Sequence, residues 1–366
     1  MASQVSASRA SPDADPSETL RRYFWDNDTG NYQQRCGRAK MERYDLPTSA
    51  RHYNMSRDAA FDLRGHDKAE VLTVVPPVAG GTAMILDLCM APGGFALTTL
   101  ANNCDNAKYM GVTLPRDQGG QKHWIGSRHY CKVDIQYIDI NTLVAVTGLT
   151  QAGIPMDHPD APRFRFDQPF LTRKFGLVFC DGQVPRFQEE RGIYREVTTV
   201  IRYLTSQLVF ALQRIRAGGT LLVLLPRLDN WTSAQILCTV RKFAKVRLFK
   251  SKCPKSPWAR RGTFFLVAEG VDTENPEAQG AVEGFKRTWR RATFEMAEVR
   301  SEGDPSECRA LTNVALSGDN VDEVLASFGP ELVEMAKSLW KRQLDALRER
   351  DSRRWNGVLE GDRRLW

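Results

Sequence analysis

The stretch Ala83-Met-Ile-Leu-Asp-Leu-Cys-Met-Ala-Pro-Gly-Gly-Phe95 decides the fold. Its apolar run, residues 84–88, has the length and composition of a buried parallel strand. Residues 91–94 read Ala-Pro-Gly-Gly and break the strand, and an apolar segment of helical type follows over residues 95–100. A strand, a glycine turn and a helix in this order begin an α/β sheet of the nucleotide-binding type.

The glycine turn is suited to ligand binding. Its small residues let a ligand approach the backbone, and the free N–H groups at the start of a helix can bind an anionic group. Asp87, inside the strand, suits a cation or a hydroxyl-rich ligand better than a pyrophosphate. Neither G-x-G-x-x-G nor G-x-x-x-x-G-K-[ST] is present. The residues alone leave two interpretations open, a ligand loop and a structural turn of a βα unit.

A resemblance to a known family favours the ligand loop. Asp87-Leu-Cys-Met-Ala-Pro-Gly-Gly-Phe95 resembles motif I of the FtsJ/RrmJ-type methyltransferases, roughly D-L-G/C-x-A-P-G-G-[FW], and the likeness extends with gaps from about Ser56 to Gly270. It implies a Rossmann-like α/β fold whose mostly parallel seven-stranded sheet ends in an antiparallel strand, and it implies binding of S-adenosylmethionine (SAM). The implied SAM contacts in the turn are Asp87, Cys89, Ala91, Pro92, Gly93, Gly94 and Phe95.

The remaining elements follow in the order that the family requires. Strands are predicted at 108–114, 133–140, 175–180, 220–225, 246–249 and 263–268, and helices at 95–103, 194–215 and 231–243. Ala217-Gly-Gly219 is expected to cap the helix over 194–215. Residues 143–174 contain four prolines and are expected to form a long irregular insertion.

Two further residues are candidate cofactor contacts. Thr113 lies near the end of the second strand, where many SAM and NAD enzymes have an acidic residue that holds the ribose hydroxyls. A threonine hydroxyl can also hydrogen-bond, although more weakly than a charged group. By resemblance, Asp139 matches the family's acidic residue beside the adenine, and the alternative is that it caps a helix or turn.

The family transfers the SAM methyl group to a ribose 2′-hydroxyl of RNA with the help of a Lys-Asp-Lys-Glu tetrad. Asp181, directly after the fourth strand, matches the aspartate and is implied to be both catalytic and cofactor-binding. Leu224 stands at the second lysine and Thr263 at about the glutamate, and the first lysine falls on Asp62, with Lys68 as a substitute.

One tetrad position of four is therefore clearly kept, which weakens the case for ribose methylation. A hydroxyl is a poor nucleophile that needs a base or a charge beside it, and leucine supplies neither. Arg227, three residues beyond Leu224, could reach the site, but arginine cannot act as a base near neutral pH.

A basic stretch favours an anionic substrate. Residues 241–263 contain nine basic side chains, no acidic one and Trp258, and the whole chain has a net charge of +7. Phosphates and stacked bases suit such a stretch, and the alternative is a solvated basic face. The predicted substrate contacts are Lys250, Lys252, Lys255 and Arg260.

Composition restricts the class of protein. A hydrophobic content of 42% and a charged content of 26% are typical of a soluble globular protein, and no apolar run is long enough to cross a membrane. The eight cysteines are scattered without a C-x-x-C pair, and the five histidines show no metal-binding spacing. We therefore expect no metal, and an intracellular protein of a reducing compartment, cytoplasmic or nuclear.

The chain divides into four predicted parts. These are a disordered tail over 1–18, an N-terminal extension over 19–82, the methyltransferase domain over 83–270 and a C-terminal helical appendage over 271–366. The aromatic and basic residues of the extension either pack on the core or hold a nucleic acid. The apolar stripe of a helix over 319–350 either docks on its own domain or contacts a partner. The oligomeric state is left open.

Three functions remain open from the sequence. The leading one is SAM-dependent methyl transfer, with RNA as the acceptor. The second is a SAM-binding protein without catalysis, and the third is a methyltransferase for a small molecule or a protein. The absent lysine and glutamate support the second and third, while the basic stretch favours RNA over a small molecule.

Overall fold

The computed structural model describes residues 15–28, 30–36, 83–102, 107–182, 193–251, 257–295 and 320–362. Its seven strands form one sheet in the order β3-β2-β1-β4-β5-β7-β6. Strands β1 to β5 are parallel, and β7 runs antiparallel to both β5 and β6. The strands are β1 Ala83–Leu88, β2 Ala107–Thr113, β3 Val133–Tyr137, β4 Phe175–Cys180, β5 Ile215–Leu225, β6 Lys245–Phe249 and β7 Phe264–Val271. This confirms the predicted Rossmann-like α/β fold.

Helices cover both faces of the sheet. We number them α1 Pro16–Asn27, α2 over 31–36, α3 Gly94–Asn102, α4 Ile193–Arg214, α5 Trp231–Val240, α6 Pro257–Arg260, α7 Pro276–Phe294 and α8 Val321–Asp362. Short 3-10 turns occupy the predicted insertion between β3 and β4. The central strands β1 and β4 are buried nearly throughout, which explains why their sequences are continuous apolar runs.

Alternate residues of the strands feed two separate hydrophobic cores. Leu86 of β1 and Val178 of β4 face the core formed with α1, α4, α5, α7 and α8. Ile85 and Phe179 face the opposite core, into which α3 packs through Phe95. This alternation follows from the two-residue period of a strand and fixes which side chains lie on each face.

The terminal helices pack on the first of these cores. Phe24 of α1 and Tyr32 of α2 contact Trp340 of α8, with ring centroids 4.7 and 4.8 Å apart respectively. All three side chains are buried, so the stripe of α8 docks within its own chain, and these two extension aromatics serve packing. The other extension residues beyond 36 lie outside the described residues. The division into four parts stays a prediction.

Two local expectations are wrong. A helix begins at Pro16, capped by Asp15, where the predicted tail still continues; residues 1–14 lie outside the described ranges. The Gly-Gly pair does not cap α4, which ends at Arg214; Gly218 lies inside β5 with a φ of 73°, where the pairing register shifts. Helix α7 begins at Pro276 and is capped by Asn275.

Within the described ranges, no helix combines the length and the apolar character needed to cross a membrane. The same residues contain no group of three or more histidine, cysteine or acidic side chains that could hold a metal ion. The described cysteines, at positions 36, 89, 131, 180 and 238, are free thiols.

Candidate active site

The glycine turn and Asp181 lie side by side at one edge of the sheet. Strands β1 and β4 are parallel neighbours, and their register pairs Leu88 with Cys180. The turn that follows Leu88 and the carboxylate that follows Cys180 are therefore at the same level, on strands about 4.8 Å apart. Because the chain runs from β1 to β2 on one side and reaches β4 on the other, a crevice opens here at the switch point of the sheet. We call this groove the crevice.

Left-handed backbone angles and hydrogen bonds to β2 hold the turn in a defined conformation. Cys89 and Gly93 have φ angles of 78° and 100°, in the left-handed region. The backbone N–H groups of Cys89 and Met90 donate to the Val112 carbonyl at the end of β2, at 2.8 and 3.0 Å. Ala91 and Pro92 are half-buried and carry small side chains. Hydrogen bonds to β2 thus fix the turn, and its small residues keep side-chain bulk away from the backbone.

Thr113 supports the turn rather than facing the ribose. Its side chain is buried, and its hydroxyl accepts a hydrogen bond from the backbone N–H of Ala91 at 3.4 Å. A direct contact between Thr113 and the cofactor stays a prediction. Thr113 lies one residue beyond the pairing of Leu88 with Val112, so its hydroxyl reaches under the turn instead of outward.

Asp87 and Phe95 are also enclosed, and a direct contact of either residue with SAM stays a prediction. Asp87 is 0% exposed and accepts a hydrogen bond from the Tyr109 hydroxyl at 2.5 Å. Burial, reinforced by the Asp87 charge, raises the pKa of Tyr109 well above its usual value, so the phenol stays protonated. Phe95 stacks on Phe179 with ring centroids 4.4 Å apart. Both residues position the turn from within the core.

Helix α4 closes the other side of the crevice with two polar side chains. The Tyr203 hydroxyl lies 2.8 Å from the Cys89 sulfur. The Gln207 amide forms two hydrogen bonds with the backbone of Gly182, the residue after Asp181. Its oxygen accepts from the Gly182 N–H at 2.9 Å, and its nitrogen donates to the Gly182 carbonyl at 3.4 Å. The sequence analysis missed both residues. The available signal was a polar pair spaced four residues apart on an apolar helix face.

Burial and the nearby carboxylates keep the thiol and the phenol of this cluster neutral. Burial raises the pKa of Cys89 and of Tyr203 well above their usual values, and the Asp181 charge adds to the shift of both. The thiol and the phenol therefore stay protonated at neutral pH, and neither is a thiolate nucleophile or a ready base. Asp181 is half-buried beside these two groups, directly after β4.

Asp139 caps a 3-10 turn at the next strand end. Its carboxylate accepts from the Asn141 N–H at 3.0 Å and pairs with Arg163 at 3.4 Å. The capping alternative describes this geometry. Its charge also contributes to the raised pKa values of Cys89 and Tyr203, which indicates that it lies near the crevice. A contact between Asp139 and the adenine stays a prediction.

The strand register brings three of the tetrad positions to one edge of the sheet, and Asp181 is the charged residue among them. Cys180 pairs with Val223, so Asp181 is level with Leu224 on β5. Leu225 pairs with Phe264, which places Thr263 at the same edge of the sheet. The positions thus meet as the family pattern requires, but a leucine and a threonine occupy two of them. Asp62 and Lys68 lie outside the described residues.

The predicted phosphate contact at Lys250 is wrong. Its side chain is buried, with 2% of the residue exposed, and its ammonium donates to the backbone carbonyls of Arg261 and of Thr263, the latter at 2.7 Å. A buried, satisfied ammonium is not available to a substrate. Lys252 and Lys255 lie outside the described residues. Arg260 is half-buried, and its carbonyl accepts from Gln343 at 2.9 Å.

Replacement of Gly182 by alanine should damage this side of the crevice. An added Cβ would lie 2.5 Å from both the Cys89 sulfur and a Tyr203 ring carbon. We expect a loss of about 1–3 kcal/mol in the free energy of unfolding, measured by urea denaturation, because neither neighbour has room to move. Gly126→Ala is the control, since its added Cβ meets no atom within 4 Å. Equal stabilities of the two variants would contradict the described packing.

The family of the chain is shown by its sequence. The model of the FtsJ-like methyltransferase family matches residues 59–264, more than half of the chain. The chain therefore belongs to this family. No curated protein matched the chain.

Solved methyltransferase structures are similar at low identity. TrmN from Thermus thermophilus matches with 11% identity and a TM-score of 0.32 over 56% of this chain and 48% of its own. A putative rRNA methylase from Clostridium thermocellum matches with 9% identity and a TM-score of 0.32 over 56% and 95%. NSun6 from Pyrococcus horikoshii matches with 15% identity and a TM-score of 0.34 over 57% and 51%. The chain spans about half the length of the first and third of these, and nothing about the reaction follows from such matches.

Proposed function

We propose that this protein transfers the methyl group of SAM to RNA, with a ribose 2′-hydroxyl as the acceptor and Asp181 as the residue that acts on it. The observation that carries the proposal is the register of β1, β4 and β5, which places the turn after Leu88 beside Asp181. The family match supports the donor, and the basic stretch over 241–263 supports an anionic acceptor. The acceptor's identity rests on that charge and on the family.

In the proposed reaction the turn binds the methyl donor and Asp181 contacts the acceptor. Ala91, Pro92 and Gly93 form the small-residue cradle that would hold SAM, whose sulfonium supplies an activated methyl group when it is bound. Asp181 accepts a hydrogen bond from the acceptor hydroxyl and so aims an oxygen lone pair at the methyl carbon. When bound, SAM would give its methyl group to the acceptor oxygen and leave as S-adenosylhomocysteine, and Asp181 or water would receive the hydroxyl proton.

A second candidate is a SAM-binding protein without catalysis. The observation that favours it is Leu224, which the register places level with Asp181 where the family has a lysine. An apolar side chain there provides no charge to assist a weak nucleophile. Such a protein would bind SAM in the same turn and transfer nothing.

The two candidates are separated by incubating the protein with methyl-labelled SAM and separate pools of RNA, protein and small molecules. We expect label in RNA only, and we expect the labelled site to resist alkaline cleavage, because a 2′-O-methyl group blocks attack on the neighbouring phosphate. Label in another pool would contradict the RNA proposal. Bound SAM with no label transferred would support the non-catalytic candidate.

A further inference from the structure

A buried aspartate organises charged side chains from two distant parts of the chain at the crevice edge of the sheet. The carboxylate of Asp229, in the loop after β5, accepts from Arg227 Nε at 2.8 Å and from Arg227 Nη2 at 2.6 Å. It also accepts from Arg35 Nη2 at 3.0 Å and from the Tyr32 hydroxyl at 2.9 Å, both in α2. We call these four side chains the Asp229 cluster.

The Asp229 cluster has a net positive charge, and Arg227 is its most exposed charged side chain. Burial alone would raise the pKa of Asp229, but the hydrogen bond from Arg227 and the charges of both arginines lower it, so the carboxylate is ionised at neutral pH. Burial is also the main reason that the pKa of Tyr32 is raised, and its phenol stays neutral. Two guanidinium groups thus face one carboxylate. The side chains of Arg35 and Asp229 are 5% and 1% exposed, whereas that of Arg227 is 42% exposed.

Arg227 is held in position just past the end of β5, at the edge of the sheet that carries Asp181. Leu224 is level with Asp181, and Arg227 follows three residues later, just past the end of β5. The stem of Arg227 lies over Gly262, where an added Cβ would be 2.5 Å from its Cγ. The guanidinium is held by Asp229 on one side and the stem by the backbone of the loop before β7 on the other.

The fixed guanidinium has donors left for a ligand. Asp229 takes two of the five N–H groups, and no other hydrogen bond joins the Arg227 guanidinium to a described residue. Arginine binds phosphate through paired N–H donors, and holding the side chain in advance lowers the entropic cost of each bond. The side chain is accessible, cationic and preorganised, which are the properties of a phosphate-binding residue.

We propose that Arg227 binds a backbone phosphate of the acceptor RNA and thereby positions the nucleotide at Asp181. This inference rests on the proposed function. Arg227 is a positioning residue: it supplies the charge that Leu224 lacks, from a different point of the same loop, and it does not take the proton. The Asp229 cluster makes this position depend on the docking of α2, which belongs to the N-terminal extension.

The test measures binding of a 12-nucleotide oligouridylate to the full chain by fluorescence anisotropy at several KCl concentrations. Arg227→Gln should weaken binding about tenfold and lower the slope of log K against log salt by about 0.7, the value for one phosphate contact on a single strand. Arg227→Lys should retain the slope and lose part of the affinity, because the charge remains and the paired donors do not.

Arg173→Gln is the matched control, since Arg173 is exposed and precedes β4 at the opposite edge of the sheet. It should change neither affinity nor slope, and calorimetric titration with SAM should show that all three variants keep a folded cofactor site. If the wild type binds RNA with salt dependence and Arg227→Gln behaves as the wild type, the inference is overturned and the proposed function stands. If the wild type binds no RNA, the proposed RNA acceptor itself fails.

Discussion

Replacement of Asp181 by alanine is expected to reduce methyl-transfer turnover by about 10²-fold or more, with little change in SAM affinity. Asp181 follows β4 at the level of the glycine turn, where it can act on the acceptor without holding the cofactor. Its loss removes an interaction made with the reacting hydroxyl, so the effect should appear in kcat. Single-turnover transfer from labelled SAM measures the chemical step, and calorimetry measures SAM affinity.

Asp134→Ala provides the control for this experiment, because Asp134 is an exposed residue of β3 away from the crevice. It should leave turnover unchanged. Full activity in Asp181→Ala would contradict the assigned role and indicate transfer by proximity alone, to an acceptor that is already strongly nucleophilic. That result would shift the acceptor from ribose to a small molecule or a protein side chain.

Replacement of Gly93 by valine should abolish SAM binding. The φ of 100° is strained for any residue with a Cβ, and more so for a β-branched one, and the added Cβ would lie 3.3 Å from Ile125 Cγ1. To bind SAM, the turn of the variant would have to adopt the native conformation against a strain of a few kcal/mol. That cost corresponds to a loss in SAM affinity of about 10²-fold or more, which calorimetry would register as no detectable binding.

Gly148→Val is the control that distinguishes a local effect on SAM binding from a general effect of backbone strain. Gly148 has a φ of 80° in the insertion between β3 and β4, and a Cβ there would meet only the ends of Arg290 and Lys286. Gly148→Val should therefore lower stability but leave SAM affinity unchanged. Loss of SAM binding in both variants would show that the Gly93 effect is not local.

The sheet could be predicted because its strands carry an unambiguous signal. A strand buried on both faces is mainly apolar, as β4 is throughout and β1 is except at Asp87. The role of Gly218 could not be predicted in the same way. A glycine with positive φ serves a helix end and a strand irregularity equally well, and only the pairing with β4 and β7 decides between them.

The position of the turn and Asp181 at one edge of the sheet could be predicted better than the contacts of the side chains around them. The motif identified the turn and Asp181, yet it did not show which side chains point to the crevice. Alternation offered a clue for Asp87, which shares a face with Ile85 and therefore points toward α3 and Tyr109. Phe95 is apolar and packs, as its chemistry favours.

Contacts between distant parts of the chain could not be predicted. Lys250 is basic and looks like a surface residue in sequence, but the carbonyls of Arg261 and Thr263 converge on its ammonium only after β6 and β7 pair. The Asp229 cluster likewise depends on α2 reaching the loop after β5, some 190 residues away in sequence. Such contacts follow from the tertiary fold rather than from local spacing.

The central claim is that the turn after β1 binds SAM, and calorimetric titration of the wild-type chain with SAM tests it most directly. We predict one binding event per chain, which S-adenosylhomocysteine competes for and which Gly93→Val removes. A folded wild-type chain that binds no SAM would contradict the account.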